Sequence, residues 1–226
     1  MRLFGNQNSI KKMKYILLTV LLILVGCDRH LNNSGEPISR IVHLKKIFME
    51  NPDLISKGFQ FPVGKDGSAN GYYVAQGFQK RNKRFGGNFH LGEDWNGNGG
   101  GDTDLGDPVY SIANGIVVFS GHGGRGWGNV IRIVHSYPQN KNQILVESVY
   151  GHVLDMFVSE GDHVKIGEKI ATIGNADGLY HAHLHLEIRT DPDMELGGGY
   201  APNTYGFTEP RAFIRKNKDL KVAGNP

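Results

Sequence analysis

Within the run Tyr180-His-Ala-His-Leu-His-Leu-Glu187, histidine recurs at every second position, at His181, His183 and His185, and Glu187 continues the spacing. Side chains two apart on a β-strand share a face. A strand here therefore carries imidazoles and a carboxylate on one side and Ala182, Leu184, Leu186 and Ile188 on the other. The apolar side needs a core. The imidazole side suits a metal, since histidine is the commonest metal ligand and titrates near neutral pH. A second cluster lies upstream in Asn88-Phe-His-Leu-Gly-Glu-Asp-Trp95, where His90 and Asp94 are four apart. Glycines at 86, 87, 97 and 99–101 argue against a helix, and an even separation keeps both side chains on one face of an extended chain. Two imidazoles and a carboxylate make a zinc set, and catalytic zinc commonly leaves a fourth position open. A third stretch, Val149-Tyr-Gly-His-Val153, puts His152 at the end of an expected strand. The helical signatures HExxH and HxxEH are absent, which excludes the helix-based zinc proteases.

The elements that must hold these residues read as mainly β. Glycine is abundant, 32 of 226 residues, and falls mostly between short β-prone runs, the pattern of a turn-rich antiparallel sandwich or barrel-like sheet. Val109–Ile112, Gly115–Ser120, Asn129–His135 and Gln143–Tyr150 are strand candidates. The last two form an expected hairpin about a polar turn at 136–142. His183–Arg189 is the last clear strand, and 190–226 reads as loop. Ile41, Leu44, Ile47 and Phe48 recur at helical spacing before Asn51-Pro52, predicting one short amphipathic helix at roughly 38–50, lying against the domain or linking it to what precedes. His181 reads as a rim residue, and His122, His135 and His163 as surface or strand-end residues. Trp95, Trp127 and Tyr180 are equally suited to lining a groove and to packing.

The N-terminus has a different character. Lys11, Lys12 and Lys14 precede an apolar run from Tyr15 to Gly26, too short for the ~20 residues of a membrane-spanning helix and typical of an export signal. It ends Leu24-Val-Gly-Cys27, which resembles the lipobox of bacterial lipoproteins, where cleavage leaves a lipidated N-terminal cysteine. Cys27 is the one cysteine of the chain, so no intrachain disulfide can form. Without residues 1–27 the chain keeps 21 of its 25 basic residues and all 22 acidic ones, a formal charge of −1 instead of +3. Its basicity belongs to the signal, and no electrostatic case for nucleic acid remains.

Taken in order, His90-x-x-x-Asp94, His152 and His183-x-His185 resemble the lysostaphin/LytM-type zinc endopeptidases of bacterial cell walls. The resemblance covers roughly residues 75–214 and includes Gly115–Gly121, Gly126-Trp-Gly-Asn129, Gly161–Gly167 and the ending Glu209-Pro-Arg-Ala-Phe-Ile214. It implies a LytM-type fold, of the duplicated hybrid motif, over 61–226. A lipoprotein signal at 1–27 and a tether with the helix at 28–60 precede it. It implies one zinc ion per chain on His90, Asp94 and His185, with His152 and His183 as the two non-ligand histidines that orient water, move its proton and stabilise an oxyanion. Glu187 either holds a metal histidine in its tautomer or faces solvent. The implied substrates are peptidoglycan stem peptides or cross-links, met from a membrane to which Cys27 anchors the exported protein. A silent relative that binds wall or activates a partner hydrolase is the alternative, although such relatives usually lack zinc ligands. The stretch 96–105 looks longer than the family's usual link. It reads as a flexible polar loop rather than a calcium site at Asp102 and Asp104.

Overall fold

The computed structural model describes residues 39–140 and 142–220. The expected signal segment, Cys27 and the polar tether at 28–37 lie outside the described residues. The described chain runs α1 (Arg40–Glu50), β1 (Tyr72–Gln76), β2 (Arg81–Asn82), β3 (Asn88–His90), β4 (Glu93–Gly97), β5 (Pro108–Tyr110), β6 (Gly115–His122), β7 (Asn129–Gln139), β8 (Asn142–Met156), β9 (His163–Val164), β10 (Lys169–Ile173), β11 (Leu184–Arg189), β12 (Tyr200–Ala201), β13 (Phe207–Thr208) and α2 (Pro210–Lys216). The architecture is antiparallel β, as the sequence predicts, with the expected short N-terminal helix and a second, α2, that it does not predict. The large sheet follows the order β1-β4-β11-β8-β7-β6-β9, with β13 on β11 and β10 joining β8 to β5. A small sheet follows the order β12-β3-β2. No helix among the described residues is long and apolar enough to cross a membrane.

Strand β11 is the axis of the molecule. Ala182, Leu184, Leu186 and Ile188 are fully buried in the main core with Trp95, Ile131, Ile133, Tyr150 and Ile173. Each leucine and isoleucine among them contributes about 1.5–3 kcal/mol by leaving water. On its edges β11 pairs with β4, His185 opposite Asp94, and with β8, His185 opposite Gly151. The second residue of the metal-like pair is thus centred between two strands that carry other site residues.

Strand β8 turns a corner. Its pairing with β7 passes from Ile131↔Tyr150 to Asn129↔Val153, so Gly151 and His152 oppose one residue, a β-bulge. On its other edge β8 passes at the same place from β11, which pairs up to Gly151, to β10, which pairs from Val153. His152 adopts φ +63° there, a left-handed conformation rare for a residue with a Cβ.

Several expectations change. The hairpin is tighter than read: β7 runs to Gln139 and β8 starts at Asn142, so 136–139 is strand, not turn. Pro138 fits because the pairing of β6 with β7 ends at Val134, leaving that side of β7 free of a β6 partner that would need a donor. The tail is not all loop. Pro210 opens α2, whose Ile214 is buried, but seven residues are too few to show a helical period in sequence. Of the two expected places for helix α1, the structure takes the first, against the domain, in the unit that begins at Ser39. Its Leu44 and Phe48 pack on Leu54, Ile116, Val134 and Leu145. His135, expected at a surface or strand end, is fully buried against Phe59.

Candidate metal centre

His90 ends β3 in the small sheet and Asp94 lies on β4 in the large one. The chain changes sheet at Leu91-Gly92, so the two residues do not share a strand face as their even spacing predicted. The bend itself aims both inward. Gly92 is required at it: a Cβ there would meet the Leu186 carbonyl oxygen and stand 2.9 Å from His185 Nε2. Leu91 is tied by its N–H to the Gly199 carbonyl.

Three donor atoms converge. His185 Nδ1 lies 2.8 Å from Asp94 Oδ1 and 3.1 Å from His90 Nε2, and His90 Nε2 lies 3.2 Å from Asp94 Oδ1. Among the described residues this trio forms the one group of three or more such side chains able to share an ion. Zinc bonded at 2.0–2.2 Å to a tetrahedral set needs donor separations of roughly 3.3–3.5 Å. Two edges of the triangle need to open by about 0.1–0.4 Å and the shortest by about 0.5–0.7 Å. The nitrogens are prepared for this. His90 Nδ1 donates to the Gly77 carbonyl at 3.2 Å, which leaves Nε2 with its lone pair inward. His185 Nε2 faces Glu187 Oε1 at 3.2 Å, so Nδ1 is the atom left for an ion. Glu187 does not face solvent. It is fully buried and gripped by Arg189, whose Nε and Nη2 donate to Oε2 at 2.8 and 2.6 Å.

The electrostatics follow. Burial raises the Asp94 pKa, but the hydrogen bond from His185, with the His90 ring close beside it, outweighs this and holds the carboxyl well below the usual range. Burial alone lowers His185. Its bonds to Asp94 and Glu187 reverse this and push it up to about 9. A proton on Nδ1 then stands where a metal cation would, between the same partners. Burial also overrides hydrogen bonding at Glu147, whose carboxyl is raised although Arg132 holds both its oxygens.

The two other histidines flank the trio. His152 Nδ1 donates to the Trp127 carbonyl at 3.0 Å, fixing Nε2 as the free lone pair. Burial, with the nearby His183 and His185, lowers His152 to about 3, so it is neutral at physiological pH. His183 precedes β11. Its Nδ1 donates to the His181 carbonyl at 2.7 Å, and its Nε2 is 3.8 Å from Asp94 Oδ1. The His152 and His183 rings are 4.6 Å apart. All five residues line one open cleft of about 650 Å³, with Trp127, Tyr180, Tyr200 and Gly197–Gly199 among its walls. Trp95 is in the core instead. His181 is exposed and faces Asp102, and His122 pairs with Asp177 on the surface.

The 96–105 stretch does not line this cleft. Asp102 Oδ1 accepts the Ala182 N–H at 2.7 Å, and Asn96 Nδ2 donates to the Ala182 carbonyl at 3.2 Å. The loop thus clamps the peptide between His181 and His183. Asp104 is buried and accepts the Gly97 N–H at 2.7 Å.

Sequence reading did not single out Arg189 or Tyr200. Arg189 was visible in principle, since it continues the two-residue spacing of His185 and Glu187. Tyr200, stacked on Phe85 at 3.9 Å and hydrogen-bonded to Gln76 at 2.7 Å, arrives from a short glycine-flanked strand that carries no such signal.

Residues 88–195 match the family described as Peptidase family M23. Lipoprotein NlpD of Yersinia enterocolitica is 42% identical over 84 residues, 37% of this chain and 78% of that protein. The murein hydrolase activator NlpD of Escherichia coli strain K12 is 40% identical over 84 residues, 37% of this chain and 20% of that protein. The match thus spans only a fifth of the activator's length. The catalytic domain of the antimicrobial peptidase lysostaphin from Staphylococcus simulans superposes with a TM-score of 0.50 at 23% identity, covering 65% of this chain and 95% of that domain. That likeness establishes a lysostaphin-like fold.

Proposed function

This chain belongs to peptidase family M23, and we propose on that footing that it is a zinc-dependent endopeptidase that cuts peptide bonds in peptidoglycan stem peptides or cross-links. The observation that carries the reading is the donor triangle of His90 Nε2, Asp94 Oδ1 and His185 Nδ1, complete and turned to an open cleft. When bound there, zinc supplies Lewis acidity, lowering the pKa of water at the open position towards ~7 and polarising a peptide carbonyl. Glu187, fixed by Arg189, keeps His185 turned with Nδ1 to the ion. His152, neutral and with Nε2 free, accepts a hydrogen bond from the attacking water and orients it. His183, the less buried of the pair, takes up the proton and hands it to the leaving amine. A histidine carrying that proton also stabilises the oxyanion. Trp127 and Tyr180 give the peptide an apolar wall.

The expected setting is the cell envelope. The Yersinia relative is named a lipoprotein, and the segment ending at Cys27 has the form of a lipoprotein signal. An exported protein held by lipid on Cys27 and a tether of ~10 residues meets the wall directly. A second reading, activation of a partner murein hydrolase, is favoured by the name of the E. coli relative. The two separate in one experiment. Purified cross-linked muropeptides incubated with the zinc-loaded protein yield shortened peptides by mass spectrometry, and His183→Ala keeps its zinc but yields none. Intact muropeptides, together with stimulation of a separate wall hydrolase, would establish the activator instead.

A further inference from the structure

Two cations on the wall of the cleft have no role in the chemistry above. Arg84 and Arg125 both line it. Both are exposed, and among the described residues neither guanidinium has a carboxylate within ion-pair distance. Among the described residues lining the cleft, Asp94 is the single acidic one, and its charge is committed to the trio.

Neither arginine sits on a loose segment. Asn82 accepts the Arg84 N–H at 3.0 Å, and the next residue, Phe85, stacks flat on Tyr200. The Arg84 guanidinium stands 6.0 Å over the Tyr180 ring. Arg125 is at the tip of a turn closed by Gly123 N–H to Gly128 O at 2.8 Å and Trp127 N–H to Gly124 O at 3.1 Å. A Cβ on its neighbour Gly126 would stand 3.6 Å from the Tyr180 hydroxyl. Arg84 thus reaches over Tyr180, and the turn that carries Arg125 abuts the Tyr180 hydroxyl at Gly126. Tyr180 in turn lies 5.3 Å from the His152 ring and 5.9 Å from the His183 ring. The Arg84 charge therefore lies at the end of the cleft that holds the non-ligand histidines, and Arg125 lines the same cleft. The segment bearing Arg84 is basic throughout, with Lys80, Arg81, Lys83 and Arg84 together and no acidic residue between Asp66 and Glu93.

A cleft lined by one sign of charge, with low walls of protein around it, concentrates ligands of the other sign. Guanidinium groups match carboxylates by paired, parallel hydrogen bonds. We infer that the cleft takes an anionic peptide, with Arg84 and Arg125 binding a free carboxylate of the substrate on the Tyr180 side of the scissile bond. This rests on the peptidase reading and narrows it. Stem peptides carry free carboxylates, whereas an oligoglycine bridge carries none, so the pair selects stem peptides over such bridges.

The test uses the zinc-loaded full chain in detergent and two synthetic probes, a cross-linked stem-peptide dimer and the same dimer with its carboxylates converted to amides. Binding is measured by calorimetry before turnover, and cleavage separately by mass spectrometry. The acid dimer binds about tenfold or more tighter than the amide at low salt, and the gap narrows as salt rises. Arg84→Gln with Arg125→Gln brings the acid dimer down to the amide's affinity. That double change raises KM and leaves kcat within about twofold, because uniform binding is lost and not the chemistry. Arg84→Lys with Arg125→Lys restores part of the gap, and the zinc content of both variants is unchanged. Equal affinities for acid and amide, no binding of either, or a double variant that still discriminates would each overturn the proposal. Discrimination in binding without cleavage leaves the arginine site standing and removes the peptidase reading. Cleavage without discrimination does the reverse.

Discussion

At the scale of the residue, the centre is organised by which nitrogen of each histidine is spoken for. Gly77, Trp127 and His181 each take an Nδ1–H through a carbonyl that can only accept, and so they leave Nε2 of His90, His152 and His183 free. His185 is turned the other way, its Nε2 facing Glu187 and its Nδ1 facing Asp94. An ion bound on Nδ1 depends on that second contact. Glu187→Gln keeps a group of the same size beside Arg189 but removes the charge, and we expect zinc affinity to fall about 10–100-fold in competition with a chelator. An unchanged affinity would mean that Glu187 serves only the buried ion network. His152 shows the backbone cost of the site, since its left-handed φ is held by its own N–H on the Trp127 carbonyl at 3.0 Å.

At the scale of the element, β11 joins core to site. Its apolar face belongs to the main core and its polar face to His185, Glu187 and Arg189. Packing loss on one face is therefore felt on the other. Leu186 is fully buried and pairs with Glu93 of β4 and Tyr150 of β8. Leu186→Ala should cost about 2–5 kcal/mol in denaturant unfolding, as a large-to-small change in a close-packed core does. A loss below ~1 kcal/mol would show that β11 is not a close-packed core strand. Behind the strand, Glu147 joins Arg132 and Arg189, and these two arginines donate to the carbonyls of Met194, Glu195 and Leu196. That network anchors the start of the glycine-rich segment whose Gly197–Gly199 form a wall of the cleft.

At the scale of the whole molecule, stability carries a pH signature from a group remote from the metal centre. Burial lowers His135 from 6.5 to about 4. Its Nδ1 donates to the Asn114 carbonyl at 2.9 Å and its Nε2 accepts from Ser148 at 2.7 Å, an arrangement that suits the neutral ring. The folded value lies below the unfolded one, so between them the unfolded chain binds the extra proton. Stability from this residue is complete above about pH 6.5 and is lost as pH falls towards 4, by about 3 kcal/mol. His135→Gln should be less stable at neutral pH, and its deficit against the wild type should shrink as pH falls through that window. Urea melts at pH 7, 6, 5 and 4 check this. A constant deficit contradicts it.

How much was legible in the sequence varies by element for physical reasons. The β11 face was readable because strand period is fixed at two and its apolar residues alternate without a break. The pairing of His90 with Asp94 was predicted for a reason the fold does not use. A change of sheet at Leu91-Gly92, which local pattern does not encode, brings them together. His135 resembles any strand-end histidine until Phe59 closes over it from far along the chain. Helix α1 was visible from its apolar spacing, but its place in the compact unit depends on Ile116, Val134 and Leu145, which only the sheet brings near. Nothing in the local sequence links Arg84 with Arg125, because the cleft that both line exists only once distant segments meet.

The proposed chemistry requires three donor atoms to close on one ion. Anomalous diffraction at the zinc absorption edge, from crystals of the zinc-loaded protein, tests this most directly. One strong peak per chain, within about 2.0–2.2 Å of His90 Nε2, Asp94 Oδ1 and His185 Nδ1, is the predicted result. A map without a peak among these atoms, or with its peak held by other residues, would contradict it.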